Sequence, residues 1–450
     1  MNLSHDQETA TQKFLDFLMD DTPELVLTAP PGRGKTYITK HLIQKARDIA
    51  HMLQSIGFTK GKPNIYVTAT TNTAADVAST MLGERAQTIH SFLGLTPKLN
   101  NKTWKEDLTK TKRFKVLAPS IVVVDEAGSV NSELLAYIRE ACIHCKVLYV
   151  GDDAQTAPVG EVFCPVFEAG IPTIELTTNH RNMGAIGDLG DVMREAVHTT
   201  GNVVRIEQEI VQLVRSGNIV PAELRSDLKD AKEAVFFPPI VHNGVDIIKV
   251  TGAEFQAMVD HDYVIPDRKE TDGKIVCWRN TCVGDYNNHI RGLFTDDERY
   301  MVGELVITNK PITVSGSMAA STDSIVMVTS IAEDSIEKGI AGNRIRLNDS
   351  FEVFQAHDMR EVKAHMKQCY KTRQLDEYHI AKDLFCDLRP SHACTVHKSQ
   401  GKTYQTVYLN LDDIGECHEA NAVARMLNTG ITRAAIRLVI YGDLPVRYGG

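Results

Sequence analysis

Between Leu25 and Ala50 the chain reads as a short apolar strand, a loop rich in glycine and proline, and a helix, in that order, and few sequence features constrain a fold as tightly. The loop is Ala29-Pro30-Pro31-Gly32-Arg33-Gly34-Lys35-Thr36. Glycines between a strand and a helix let successive backbone N–H groups converge on an anion, and the helix N-terminus adds positive potential at the same point. The spacing is that of a phosphate-binding P-loop, so the sequence predicts an α/β domain with a nucleoside triphosphate at the carboxyl end of a parallel sheet. In that frame Gly32 and Gly34 cradle phosphate oxygens, Lys35 reaches the β and γ phosphates, and Thr36 ligates Mg²⁺. Ala29 stands where the pattern has its first glycine, so the turn must form with a Cβ present.

Two further apolar runs end in the groups that such a site needs. Ser120 to Val124 is rich in β-branched residues, as a buried parallel strand is, and it delivers Asp125 and Glu126. Asp125 would hold Mg²⁺ through its water shell, and Glu126 would polarise the attacking water. Val147 to Val150 delivers Gly151-Asp152-Asp153-Ala154-Gln155, which makes Gln155 a candidate sensor of the γ-phosphate.

The composition sets limits around this core. A chain of 450 residues is too long for one hydrophobic core, so two or three domains are expected. No apolar run is long enough to span a bilayer and no charged-then-apolar leader occupies Met1 to Asp20, which predicts a cytoplasmic protein without membrane contact. The nine cysteines form no repeating framework, and Cys142, His144 and Cys145 lack a second pair at zinc-finger spacing, so they are read as reduced thiols. A net charge of −9 argues against gripping duplex DNA by charge alone. Locally the balance reverses: between Leu93 and Lys115, Lys98, Lys102, Lys105, Lys110, Lys112, Arg113 and Lys115 face only Glu106 and Asp107. Phosphate contacts are expected there.

The whole string of motifs resembles the superfamily 1 helicases, from Leu3 to the last strand. Gln7 is similar to the upstream glutamine with which those enzymes read adenine. Ala69-Thr70-Thr71-Asn72-Thr73 and Thr88-Ile89-His90-Ser91-Phe92 resemble motifs that touch the DNA backbone, which implies contacts from Thr71, Asn72 and His90. Glu175-Leu176-Thr177-Thr178-Asn179-His180-Arg181 resembles the motif whose arginine meets the γ-phosphate, with His180 where many relatives stack a tyrosine on adenine. Thr395-Val396-His397-Lys398-Ser399-Gln400-Gly401 resembles the motif linking DNA to nucleotide, which implies DNA contacts from Thr395, His397 and Lys398 and nucleotide contact near Gly401. Thr429-Gly430-Ile431-Thr432-Arg433 resembles the one carrying a second arginine, with Asn428 in place of the common tyrosine. Arg181 and Arg433 would then neutralise charge on the transferred phosphoryl group. The compact length and the His397 to Gly401 wording look most like the phage Dda and RecD-like branch, which implies 5′-to-3′ movement and, for a phage protein, the host cytoplasm.

The expected architecture is two RecA-like P-loop domains with parallel sheets, plus a small β-barrel and helical insertion in the second. The first spans residues 1–178, the second 179–300 and 389–450, and the insertion 301–388, where Met301 to Phe354 alternates apolar and polar residues and His357 to Phe385 turns helical. In the basic segment 93–115, Asn100-Asn101 suits a tight hairpin turn and Trp104 falls on the returning strand. The resembled branch places a strand-separating hairpin here, so Trp104 either stacks on a base at the junction or packs against its own domain. The expected function is an ATP- and Mg²⁺-dependent DNA helicase acting on single-stranded DNA and single/double-strand junctions in replication, recombination or repair, beside proteins of those pathways. The sequence leaves open a translocase that displaces proteins but unwinds weakly, an ATP-switched nucleic-acid-binding protein, and RNA as the track.

Overall fold

The computed structural model describes residues 3–55, 64–83, 85–99, 106–178, 184–237, 240, 244–265, 268–295, 300–314 and 317–449. The chain forms two compact units, one of residues 1–255, 271–279 and 395–450, the other of 256–270 and 280–394.

The larger unit opens with α1 (His5–Met19), β1 (Glu24–Thr28), α2 (Lys35–Ser55), β2 (Asn64–Ala69), α3 (Asn72–Leu82), β3 (Gln87–Thr88) and α4 (Ile89–Leu93). The hairpin β4 (Leu95–Leu99) and β5 (Glu106–Lys110) follows, then β6 (Ser120–Asp125), α5 (Ser132–Ala141), β7 (Lys146–Gly151), α6 (Pro165–Glu168) and β8 (Thr173–Glu175). Six of these strands make one parallel sheet in the order β3-β2-β6-β7-β1-β8. Alternation along β6 explains the layering. Val122 and Val124 face a core with Leu134 and Ile138 of α5, whereas Ile121 and Val123 face Phe14 of α1 and Ile38 and Leu42 of α2. Each such fully buried side chain contributes about 1.5–3 kcal/mol, enough that a one-residue slip would be prohibitive.

Next come the 32-residue helix α7 (Gly184–Arg215) and α8 (Ala222–Ala234), then β9 (Ile247–Val250), α9 (Gly252–Tyr263) and β10 (Gly273–Cys277). The chain passes through the smaller unit in α10 (Asn280–Gly292), β11 (Leu305–Thr308), β12 (Ile312–Val314), β13 (Ser317–Ala320), β14 (Ile325–Glu337), β15 (Ile340–Leu347), β16 (Phe351–Ala356), α11 (Met359–Lys371), α12 (Leu375–Leu384), β17 (Leu388–Pro390) and β18 (Ala393–Thr395). It ends in the larger unit with α13 (Val396–Ser399), β19 (Tyr404–Asn410), α14 (Leu411–Gly415), α15 (Ala420–Ile431) and β20 (Ala434–Tyr441). There β10, β19, β20 and β9 lie side by side, all parallel, as a second sheet. Helix α15 is buried along its whole length and packs on α7.

The smaller unit is antiparallel, with strands in the order β16-β15-β14-β11-β17. The alternation of residues 301–354 therefore does encode a half-buried sheet. The strand order does not close into a barrel among the described residues, although an isolated bridge from Phe354 to Phe385 joins the chain beside its two ends. Val362 of α11 and Ala381 of α12 cover Phe354 and Phe385, so the charged helical segment packs one apolar stripe on β16. Among the described residues no helix is long and apolar enough to cross a membrane. Cys142 and Cys145 point into the core of the first sheet while His144 is exposed, so the three do not face a common point.

Candidate nucleotide site

The loop after β1 is shaped by two glycines. Gly32 and Gly34 have φ of 80° and 78°, a left-handed conformation in which a Cβ would be strained. Ala29 is not among the residues with positive φ; it is fully buried and donates its N–H to the Gly151 carbonyl at 3.1 Å, continuing the β1–β7 ladder. The missing first glycine thus costs nothing in backbone strain. Helix α2 begins at Lys35, with Thr36 second, so the donors of its first turn face the loop. Arg33 turns aside, donating to the Thr177 carbonyl at 2.9 Å and pairing with Asp191 of α7 at 2.8 Å.

Lys35 lies among carboxylates. Burial alone would lower its pKa, but Glu126, Asp125 and Asp152 together outweigh it and hold the ammonium above the ordinary lysine value, with the charge of Arg433 opposing. For Asp125 burial dominates and raises the pKa, with Lys35 acting against it. Glu126 is in the left-handed region at φ 53°, rare for a residue with a side chain. Its backbone is held by the Thr70 hydroxyl, which donates to the Glu126 carbonyl at 3.0 Å, and by the Ser129 N–H at 3.1 Å. A desolvated carboxylate at a strand end, beside a glycine loop and a helix N-terminus, is a donor set that fits Mg²⁺ with its triphosphate.

The loop after β7 is clamped from the second sheet. Arg425 of α15 donates to the carbonyls of Asp153 at 2.5 Å and Gln155 at 2.9 Å, and Asn428 donates to that of Ala154 at 3.0 Å. The Thr156 N–H donates to the Thr429 hydroxyl at 3.3 Å, and the Gln400 amide donates to the Thr156 hydroxyl at 2.5 Å. From α7, buried Arg194 pairs with Asp152 at 2.5 Å and with Asp153. Asp152 in turn accepts from the Gln155 amide at 3.3 Å, which fixes the candidate sensor. Arg433 is buried too, donating to the carbonyls of Thr429 and Lys402 at 3.1 and 3.2 Å.

Sequence reasoning passed over Arg194, Arg425 and Thr70. The signal for the arginines was there: each is a lone cation inside an apolar stripe, beside Met193 and Val197 or Met426 and Leu427, and a buried charge needs partners. Gln7 is buried, and its carbonyl oxygen accepts the Ser4 N–H at 3.2 Å in a capping box. Asp6 beside it accepts the N–H groups of Thr177 and Thr178 at 2.9 and 2.8 Å. His180 and Arg181 lie outside the described residues.

The three motifs expected to touch a nucleic-acid backbone share one local build. Thr71, Thr88 and Thr395 each end or follow a strand and cap the next helix, accepting the N–H of Ala74, Ser91 and Lys398 respectively. Asn72 begins α3; His90 and His397 are half-buried in α4 and α13, and burial lowers both their pKa values, keeping the rings neutral at pH 7. Lys398 follows His397 in α13. The ladder of β4 and β5 ends at Leu99 and Glu106, and the turn between them, with Trp104, lies outside the described residues. The basic segment is less free than its composition implies, because Lys110 pairs with Glu140 of α5 at 2.5 Å.

Family models match at both ends of the chain, an AAA domain over residues 2–209 and a UvrD-like helicase C-terminal domain over 390–441. The chain is similar to the uncharacterized protein R530 of Acanthamoeba polyphaga mimivirus, 20% identical over 506 aligned residues that cover 96% of this chain and 98% of that protein. It is also similar to the ATP-dependent DNA helicase Dda of Enterobacteria phage T4, 22% identical over 320 residues that cover 69% of this chain and 62% of Dda. Of solved structures, the Pif1 helicase from Candida albicans is 14% identical, with 100% of this chain and 97% of that one covered and a TM-score of 0.43. A P-loop lysine interacts electrostatically with two strand-end carboxylates and with the arginine of the C-terminal motif, and together with the matches at either end and the similarity to Dda this supports an ATP-hydrolysing superfamily 1 helicase.

Proposed function

We propose that the protein is an ATP-dependent DNA helicase that moves 5′ to 3′ on single-stranded DNA and separates duplex at single/double-strand junctions. The observation that carries this reading is that Lys35 shares its electrostatic surroundings with Asp125, Glu126 and Asp152 after the strands of the first sheet and with Arg433 beside the second. One triphosphate contacted from both sheets makes its cleavage a mechanical event. Residues 1–178 act as the first RecA-like domain, 179–300 with 389–450 as the second, and 301–388 as a barrel-like insertion.

In this assignment Gly32, Gly34 and the start of α2 bind the phosphates, Lys35 and Gln155 hold the γ-phosphate, and Glu126 orients the attacking water. Thr36 and Asp125 would hold Mg²⁺, which when bound neutralises phosphate charge. Arg181 and Arg433 stabilise the charge that develops on the transferred group, Gln7 and His180 flank the base, and Gly401 lies beside Glu126. Thr71, Asn72, His90, Thr395, His397 and Lys398 meet the DNA strand, chiefly at phosphate, since strand-end helix N-termini suit anions. Binding is then salt-dependent and nearly indifferent to sequence. If Trp104 lies on a strand-separating hairpin, as the resemblance implies, it stacks on a base at the junction.

The test is unwinding of duplexes carrying only a 5′ or only a 3′ single-stranded tail, with ATP and Mg²⁺. The 5′-tailed duplex should open and the 3′-tailed one should not. The reverse preference overturns the polarity, and no ATP-dependent opening of either, with turnover intact, overturns the helicase assignment.

A further inference from the structure

Glu126 is the group expected to orient water, yet its backbone sits in a conformation that side-chain-bearing residues avoid. Such a conformation persists only where the surroundings hold it, so whatever grips the Glu126 carbonyl also sets the aim of its carboxylate. Two groups grip it: the Ser129 N–H, from the turn that follows, and the Thr70 hydroxyl, from another strand. Thr70 is nearly fully buried, and its own N–H donates to the Asp125 carbonyl at 3.2 Å, extending the β2–β6 ladder by one residue. The next residue, exposed Thr71, caps α3, and Asn72 opens that helix.

We infer that Thr70 is a positioning residue through which contact with the nucleic-acid strand at Thr71 and Asn72 resets the backbone of Glu126, coupling strand binding to ATP hydrolysis. The inference rests on the nucleic-acid contacts proposed above. A phosphate seated at the start of α3 displaces Thr71, and no flexible spacer separates Thr71 from the hydroxyl that holds Glu126. The distance from track to water-orienting carboxylate is thus two residues and one hydrogen bond. Relaxing or tightening the left-handed turn at Glu126 moves its carboxylate relative to the γ-phosphate, which changes turnover without changing nucleotide affinity.

Thr70→Val keeps the β-branched shape and removes the hydroxyl, while Ser129 still holds the Glu126 carbonyl, so the fold should survive; Thr70→Ser restores the donor. Steady-state ATP turnover is measured with and without a dT oligonucleotide, together with oligonucleotide affinity by fluorescence anisotropy. The expected result is that T70V loses at least fivefold of the oligonucleotide stimulation, with oligonucleotide Kd and the KM for ATP within twofold of wild type, and that T70S regains it. Undiminished stimulation in T70V overturns the inference, as does a fall in basal turnover with the stimulation ratio intact, or a loss that tracks weakened oligonucleotide binding. If the wild-type enzyme itself shows no stimulation, it is the nucleic-acid reading that fails.

Discussion

Gly401 stands over the Glu126 carboxylate, so close that a Cβ on it would lie 3.4 Å from Oε1. That is ordinary van der Waals contact. The obstacle to a side chain is instead the backbone, since Gly401 has φ of 71°. Gly401→Ala should therefore cost about 1 kcal/mol of stability, and relief of that strain moves the loop against Glu126. A fall in kcat of roughly tenfold is expected, a part of the 10²–10⁴ that a positioned base supplies, with ADP affinity unchanged. Thermal denaturation and fluorescent ADP titration check both halves.

Proton and metal should compete at Asp125. Burial, reinforced by Glu126 and opposed by Lys35, pushes its carboxyl up to about 6. Since the folded value is raised, the group's stabilising contribution is full in the ordinary carboxylate range and below, and is lost as pH rises through about 6. In metal-free buffer, Asp125→Asn should flatten that part of the stability profile. Mg²⁺ needs the ionised form, so its affinity for the nucleotide-bound protein should weaken as pH falls below about 6, approaching tenfold per pH unit. Mg²⁺ titrations between pH 5 and 8 would show it, and a pH-independent affinity would remove Asp125 from the metal site.

Gln7 carries two jobs that one substitution can separate. Its carbonyl oxygen accepts the Ser4 N–H, which caps α1, whereas adenine reading also needs the amide NH₂. Gln7→Glu keeps the acceptor; the helix N-terminus favours the added charge by about 0.3–1 kcal/mol, but burial of the side chain and the neighbouring Asp6 carboxylate oppose it. The melting temperature should fall modestly at pH 7 and recover as pH falls and the new carboxyl is protonated, while the preference for ATP over GTP falls. Measured KM values for the two nucleotides decide it: an unaltered preference would leave Gln7 as a cap only.

The nucleotide half of this site was legible because each part depends on local sequence. A P-loop needs glycine at Gly32 and Gly34, and a buried strand such as Ile121 to Val124 must be apolar whatever its partners. The clamp on residues 152–156 was not legible, because Arg425 and Asn428 act on main-chain carbonyls, and a carbonyl leaves no mark in a sequence. Asn428 shows this well. It stands in place of the common tyrosine, and its amide donates to the Ala154 carbonyl, a partner that the sequence does not mark. In the smaller unit the alternation of Ile325 to Val328 announced an antiparallel sheet, but closure depends on how the end strands meet, which periodicity does not encode.

Arg194 offers a test of what a buried ion pair is worth here. Its guanidinium lies between Asp152, which is 2% exposed, and Asp153, and these partners keep the arginine charged against the cost of burial. Arg194→Met would leave buried Asp152 and half-buried Asp153 without their counter-charge, and a loss of about 3 kcal/mol is expected from urea denaturation. The lost charge, and not the lost stem, should be the cause. Arg194→Met combined with Asp152→Asn and Asp153→Asn removes the stranded charges, so the triple variant should regain most of that stability while kcat falls, because the charged acceptor that orients the Gln155 amide has become a neutral one. A triple variant as unstable as the single one would mean that the arginine matters for packing between α7 and the loop, and that charge is incidental.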